Sequence, residues 1–529
     1  MSGRGDGIEV RQPAHLDSCL GELMKIAKAL AVAAAISMPL SLLAVLPAAA
    51  APIPQKYSQQ KLNWGRCVIE NPDFPDHQHL ECTMVTAPMD WNNPGSGKDI
   101  TVAISRRKGK NAKQVLFTNP GGPGGAGRDT PALFDYFKRT ALVDSHDIIG
   151  IDVRGTGAST NVACGAGANL GAELDYRDRS QGTIDLMLDS TRLQSRYCQV
   201  KSGEFGKFVN TEQTVKDYDL IRALLGAEKI NYVGYSGGSW IGAYYATYFP
   251  QRVGRFVLDS NADFTAPWQK TFDAQPEGFE RRYREQLVPW LAKYDHLYHQ
   301  GTKDEAVRQN YERLRAALAT KPVQVNGQDF HAIDLDNAIG TALYGKRRFA
   351  ALGEFLAGLN NLVDGARSTV DMPKLVKSLG EGAEFATATA IMCNDTRWRG
   401  TDEDAVRKSG EWARKYPLVG GAGIRQNCFS WQRPALTMKR PDGRGVPPVL
   451  MVQNELDPAT PAKLAEDAHR GFAGSRLLRI KGEGDHGGYA TAENQCANEI
   501  VEAYLIDGKV PANDPTCQAD GLPVPGAKA

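Results

Sequence analysis

The stretch with the most chemical potential is Gly234-Tyr235-Ser236-Gly237-Gly238, set between an apolar, β-favouring run that begins at Ile230 and a helical pattern from Trp240 to Phe249. A serine between glycines at a strand-to-helix reversal has a mechanical reason. The tight turn holds its hydroxyl exposed, and the glycines leave room for the neighbouring strand and helix. Ser236 is therefore the expected nucleophile. Ser239 is a rival, in a second glycine-rich turn, but Ile241 would then stand where close packing asks for glycine, and Ser239 would fall inside the first helical turn.

A serine hydroxyl is a poor nucleophile until a base takes its proton, so a histidine oriented by an acid must come within reach. Of nine histidines, His15 falls in the leader, His77 and His79 are N-terminal, and His296, His299 and His331 sit in a helical block. His146 begins a core strand and His469 lies on a surface helix. His486 remains, in Gly482-Glu483-Gly484-Asp485-His486-Gly487-Gly488, a glycine-rich loop after the last expected strand. A ring that must serve two partners suits such a loop, although a solvated loop histidine would look the same. The acid expected is Asp457, in the loop after the strand ending at Gln453; Asp259 and Asp263 are rivals, and Asp485 is too close in sequence to orient its neighbour. Ser236, Asp457 and His486 occur in the order Ser…Asp…His.

Bringing these three together requires strands that end on one edge. Cys82–Pro88 and Lys98–Ile104 flank a turn-rich segment and read as a β-hairpin. Gln114–Thr118 reads as a buried strand running into Asn119-Pro120-Gly121-Gly122-Pro123-Gly124-Gly125, a loop so rich in glycine that its backbone N–H groups can face a ligand. Asp147–Asp152 is the next strand. The helix Glu212–Leu225, with Val215, Tyr218, Ile221 and Leu225 on one face, precedes the Ser236 strand, and Arg255–Asp259 follows it. This alternation implies a mostly parallel sheet with helices on both faces. From about Trp268 to Arg444 the pattern is chiefly helical (Gly278–Tyr298, Lys303–Ala319, Asp334–Leu362 with a break near Gly345, Met372–Met392 interrupted at Gly380–Gly382, and Glu403–Lys415), and strands resume only at Val446–Gln453 and Arg476–Ile480. A large helical cap inserted before the last two strands is expected, which divides the chain into 51–266 (core), 267–445 (cap) and 446–529 (core).

With 529 residues, 42% hydrophobic, and a net charge of +1, the chain has no basic field for nucleic acid, and no fixed repeat period points to a solenoid. Lys25 and Lys28 precede an apolar run, Ala29–Leu46, and an Ala-rich exit, which reads as a signal peptide over 1–50 cut after Ala50, with Met24 the expected true start. Cys19 lies in that segment; the other eight cysteines suggest disulfides in an exported protein, most simply Cys67–Cys82, Cys164–Cys198, Cys393–Cys428 and Cys496–Cys517. No C-x-x-C occurs, so no zinc or redox dithiol is indicated, and no metal or organic cofactor is expected. A secreted monomer without a stable membrane anchor is the expected state.

Across almost the whole mature chain the sequence resembles the secreted tripeptidyl aminopeptidases of the prolyl-iminopeptidase-like α/β-hydrolases. The resemblance rests on Asn119–Gly125, Asp152-Val153-Arg154-Gly155-Thr156-Gly157, Asn231–Ser236, Arg252–Asp259, Cys393-Asn394-Asp395, Pro447–Gln453 with Asp457-Pro458-Ala459-Thr460-Pro461, and His486. It implies an α/β-hydrolase fold and a serine exopeptidase releasing short peptides from free N-termini, with peptide as substrate. Ser236, Asp457 and His486 would be nucleophile, acid and base, and Gly237 with Gly122 (or its neighbour Gly121) the oxyanion hole. The elbow of these relatives usually carries an aromatic where Gly237 stands, and a glutamate often precedes their matching cysteine, where this chain has Met392. Asp395 and Glu277 are candidates for holding the substrate ammonium. A carboxylesterase or amidase using the same triad is the alternative enzyme, and a catalytically dead, hydrolase-like binding protein the alternative outside enzymes.

Overall fold

The computed structural model describes residues 53–69, 77–162, 164, 170–325, 327–366, 382–491 and 493–526. The expected signal segment and alternative start lie outside these residues, as does the start of the helix expected from Met372.

Twelve strands occur among the described residues: β1 (Gly65–Arg66), β2 (Leu80–Pro88), β3 (Asp99–Arg107), β4 (Gln114–Asn119), β5 (His146–Ile151), β6 (Ile230–Tyr235), β7 (Val253–Asp259), β8 (Val323–Val325), β9 (Gln328–Phe330), β10 (Leu450–Asn454), β11 (Arg476–Lys481) and β12 (Thr516–Gln518). Ten form one sheet in the order β1-β2-β3-β5-β4-β6-β7-β10-β11-β12. From β5 to β12 every neighbouring pair is parallel, whereas β1, β2 and β3 add an antiparallel edge. This is the mostly parallel α/β-hydrolase sheet expected from the sequence.

The sheet is buried on both faces because its central strands are apolar at successive positions. Tyr232, Phe256 and Met451 enter one core cluster, while their neighbours Val233, Val257, Leu450 and Val452 enter another. Since side chains alternate across a strand, the two clusters are the two faces. The crossover helix Thr211–Leu224 buries Val215, Tyr218 and Ile221, the face its spacing predicts. Asn210 caps it, accepting the Gln213 N–H.

Between β7 and β10 the chain is mainly helical, with an apolar cluster of its own that includes Leu287, Trp290, Leu314, Leu335, Leu352 and Leu359. The helix expected from Gly278 begins at Trp268, carries Pro276 inside it, and widens to a π-turn over Tyr283–Leu287. The break near Gly345 is present, between Ala332–Ala342 and Phe349–Val363. The short hairpin β8–β9 and the last strand β12 carry no sequence signal, because three residues are too few to show alternation. So three strands of the sheet, not two, follow the helical block. The four disulfides are Cys67–Cys82, Cys164–Cys198, Cys393–Cys428 and Cys496–Cys517, the pairing of sequence neighbours; the last ties β12 to the helix Gln495–Asp507.

Candidate active site

β6 is buried along its whole length and delivers Ser236 at φ 53°, ψ −120°. A non-glycine residue held there costs on the order of 1–3 kcal/mol, so its surroundings must over-determine it. They do. The Ser236 N–H donates to the Asp259 carbonyl at 2.9 Å, and its own carbonyl accepts the Ser239 N–H at 2.9 Å and the Ser239 hydroxyl at 2.6 Å. Ser239, the rival nucleophile, is thus a buried brace beneath the elbow, also accepting the Ala262 N–H at 3.1 Å.

The glycine loop lies directly against this turn. A Cβ on Gly121, whose φ is +101°, would stand 2.4 Å from the Tyr235 carbonyl oxygen and 2.8 Å from Ser236 Cβ. A Cβ on Gly237 would stand 3.3 Å from the Gly122 carbonyl carbon, so these two expected oxyanion-hole residues abut. Gly237 is the first residue of the helix Gly237–Tyr248, where an N–H has no intrahelical acceptor. Asn119 shapes the loop, accepting the Gly121 N–H at 2.9 Å and donating to the Tyr218 hydroxyl at 3.0 Å. From above, Thr387 of the helix Gly382–Asp395 presses on Gly124 and donates to the Gly155 carbonyl at 2.6 Å.

Asp457 is fully buried, and both its carboxylate oxygens lie 2.9 Å from His486 Nδ1. The carboxylate is itself oriented: Oδ1 accepts the N–H groups of Ala459 and Thr460, each at 2.9 Å, and Oδ2 accepts the Thr460 hydroxyl at 3.0 Å. Burial lowers the His486 pKa, but the Asp457 charge and hydrogen bond outweigh it, and the imidazole is held above its ordinary 6.5. Among the described residues no hydrogen bond joins Ser236 Oγ to the ring.

Asp259, the first rival acid, is also fully buried, but it faces the backbone beyond His486. Its carboxylate accepts the N–H groups of Gly488 at 2.9 Å and Tyr489 at 2.7 Å, and the adjacent Ser260 hydroxyl accepts that of Gly487 at 2.7 Å. Burial pushes its carboxyl up to about 6 in spite of those donors. Asp263, the second, is held by Lys270 at 2.6 Å and the Thr265 hydroxyl at 2.6 Å.

The helical block grips the histidine loop. The buried Arg282 donates to the carbonyls of Leu343 and Gly484 and to Asp485 Oδ1 at 2.5 Å. Lys346 reaches Glu483 at 2.6 Å, and the His486 N–H donates to the Tyr344 carbonyl at 2.9 Å. The Tyr344 ring stands edge-on to the imidazole, centroids 5.4 Å apart. Nothing local in the sequence marks Arg282 or Tyr344. Thr460, by contrast, has a readable signal, three residues after an aspartate in a turn.

Of the candidate ammonium ligands, Asp395 is fully buried, accepting the Thr211 N–H at 2.8 Å, the Thr211 hydroxyl at 2.6 Å and Trp268 Nε1 at 3.1 Å; burial pushes it up to about 6. Glu277 is exposed, near Lys415. Met392 is half-buried against the main core. Among the described residues no group of three or more His, Cys, Asp or Glu side chains could hold a metal ion, and no helix is long and apolar enough to cross a membrane.

Comparison with known proteins gives consistent matches. The family model described as "TAP-like protein" matches residues 416–517. The chain is 33% identical over 497 residues to the tripeptidyl aminopeptidase of Streptomyces lividans, covering 88% of each chain. It is 28% identical over 489 residues to the serine protease Hip1 of Mycobacterium tuberculosis, covering 87% of this chain and 91% of that one. A carboxylesterase B of the same organism is 26% identical over 481 residues, covering 86% and 89%.

Proposed function

The chain belongs to the tripeptidyl-aminopeptidase-like α/β-hydrolases and is a serine hydrolase of the aminopeptidase type; on that premise we propose that it releases short peptides, tripeptides or proline-containing ones, from free N-termini through an acyl-enzyme on Ser236. The observation that carries the reading is the buried Asp457 carboxylate 2.9 Å from His486 Nδ1, on a loop tied to the residue that also holds the Ser236 elbow.

In this mechanism His486 takes the Ser236 proton as Oγ attacks the scissile carbonyl. The charge that develops on the carbonyl oxygen is met by the N–H of Gly237 and one from Gly121–Gly122. Each well-placed donor lowers the barrier by about 2.7–4 kcal/mol. The imidazolium, stabilised by Asp457, then gives its proton to the leaving amine. Water, deprotonated by His486, attacks the acyl-enzyme and frees Ser236. The helical block, residues 267–445, acts as a cap closing one end of the cleft. Four disulfides and the apolar leader support secretion.

A second reading, an esterase or amidase for small acyl groups, is favoured by Met392, which offers no charge to a substrate ammonium. The experiment is hydrolysis of tripeptide anilides with free and acetylated N-termini, with Ser236→Ala as control. The proposal expects free amines to be turned over preferentially, and the variant to lose about 10⁶-fold in kcat and all labelling by an organophosphonate. Equal turnover of free and acetylated substrates would favour the second reading.

A further inference from the structure

A cavity of about 380 Å³ opens beside His486, walled by His486, Tyr344, Tyr136, Phe137, Arg347 and Arg348. That volume falls in the range of small-ligand pockets, roughly 300–1,000 Å³. Its charge is lopsided. The carboxylate that reaches it, Asp485, is already bound by Arg282 at 2.5 Å and by the Lys346 N–H at 2.7 Å. Arg347 lies over the Phe137 ring at 4.4 Å and donates to the Thr491 carbonyl; Arg348 donates to the Thr341 carbonyl at 2.9 Å. Carbonyls do not neutralise guanidinium groups, and among the described residues neither arginine forms an ion pair. Each guanidinium carries five N–H donors, of which one is given to a carbonyl, and both side chains line the cavity.

The cavity also has a defined side. His486 Nδ1 is tied to Asp457, so the other ring nitrogen is the one that hands a proton to the leaving amine, and the departing chain must pass the imidazole. The acyl half is held at Ser236 and the glycine loop, and Ser236, Gly121, Gly122 and Gly237 do not line this cavity. A short peptide leaving past His486 would bring its terminal carboxylate toward a cationic, aromatic wall. Planar guanidinium groups match a carboxylate in shape as well as charge.

We propose that this cavity is the leaving-peptide subsite and that Arg347 and Arg348 bind the C-terminal carboxylate of a short leaving peptide. The preferred substrates are then oligopeptides that end soon after the scissile bond, and not the N-termini of long chains. The proposal rests on the aminopeptidase reading above.

The test uses two peptides of identical sequence ending shortly after the cleaved bond, one a free acid and the other an amide, together with a tripeptide anilide that has no leaving peptide. For the unaltered enzyme the acid is expected to exceed the amide about tenfold in kcat/KM, mainly through KM, with the advantage shrinking at high salt. In Arg347→Gln/Arg348→Gln the acid-to-amide ratio is expected to fall to about one, and in Arg347→Lys/Arg348→Lys to recover in part. The ratio is taken within each enzyme, so a general loss of activity does not affect it. Equal rates on acid and amide by the unaltered enzyme, or an unchanged ratio in the glutamine variant, would overturn the proposal while anilide hydrolysis continued. An unaltered enzyme that cleaved neither the anilide nor the peptides would remove the aminopeptidase reading, and this proposal with it.

Discussion

The backbone N–H of Ser236 donates to the carbonyl of Asp259 at 2.9 Å, while the carboxylate of the same aspartate accepts Gly488 and Tyr489 from the loop that carries His486. One residue at the end of β7 therefore sets the elbow and the His486 loop at once. Ser236, Ser260 and Ala490, all non-glycine residues at positive φ, lie at or beside these contacts, as expected where surrounding structure enforces a strained geometry.

Asp259→Asn tests that coupling. The amide keeps the size but turns one acceptor into a donor that faces the Gly488 and Tyr489 N–H groups. The loop should shift by a fraction of an ångström or more, and kcat is expected to fall about 10²-fold with KM nearly unchanged. Steady-state kinetics on one anilide would show it. Full activity in the variant would mean that the loop is positioned by Ser260 and Arg282 without Asp259.

The pH dependence follows from His486. In the proposed mechanism the ring acts as base when neutral, and the Asp457 charge holds its pKa above the ordinary 6.5 in spite of burial. Activity should therefore rise with pH through a midpoint above 6.5. Because the folded-state pKa is raised, the stabilising His486–Asp457 attraction is fully present below the unfolded pKa and fades as pH climbs through the folded one. Asp457→Asn removes the charge that favours the imidazolium, so the midpoint should move down and kcat should fall by about 10⁴. A kcat/KM profile of both enzymes decides it; an unmoved midpoint would assign the acid limb to another group.

The serine elbow, the order of the core strands along the chain and the disulfide pairing are local matters, and the sequence carries them in a few residues each. Gly234 through Gly238 can be read without knowing the fold, because a tight reversal allows few side chains. The grip of Arg282 on Gly484 and Asp485 spans about two hundred positions and leaves no periodic trace. Asp259 looks like a spare acid in the sequence, since a carboxylate that receives backbone N–H groups and one that orients a ring have the same letter. Asp395 shows the same ambiguity from the other side: a carboxylate in the helical block is, by sequence, a candidate for the substrate ammonium, and it is buried against Thr211 and Trp268.

Arg154, in the Asp152–Gly157 motif, is fully buried and paired with Asp217 at 2.6 Å, with further bonds to the carbonyls of Pro88, Met89 and Phe208. Arg154→Ala would strand the Asp217 charge, and a loss of about 3–5 kcal/mol is expected. Replacing both partners by apolar residues of similar volume should cost much less. Chemical denaturation of the single and double variants measures the difference, and a mild single variant would contradict the assignment.

The disulfides allow stability to be separated from activity. Cys393 lies on the helix that presses Thr387 onto the glycine loop, and Cys428 fixes that helix to the segment Asn427–Ser430. Cys67–Cys82 joins the residue that follows β1 to β2 at the far edge of the sheet. By loop length the two bonds are worth similar amounts, about 3 kcal/mol for the shorter and slightly under 4 for the longer. Removing either by paired Cys→Ser changes should lower the unfolding temperature by several degrees. Only loss of Cys393–Cys428 should also lower kcat/KM below the unfolding transition, because that helix, unlike the β1–β2 edge, lies against the loop expected to supply an oxyanion donor. If both variants keep full activity there, the loop is held by Asn119 and the elbow alone, and the covering helix contributes stability without shaping the site.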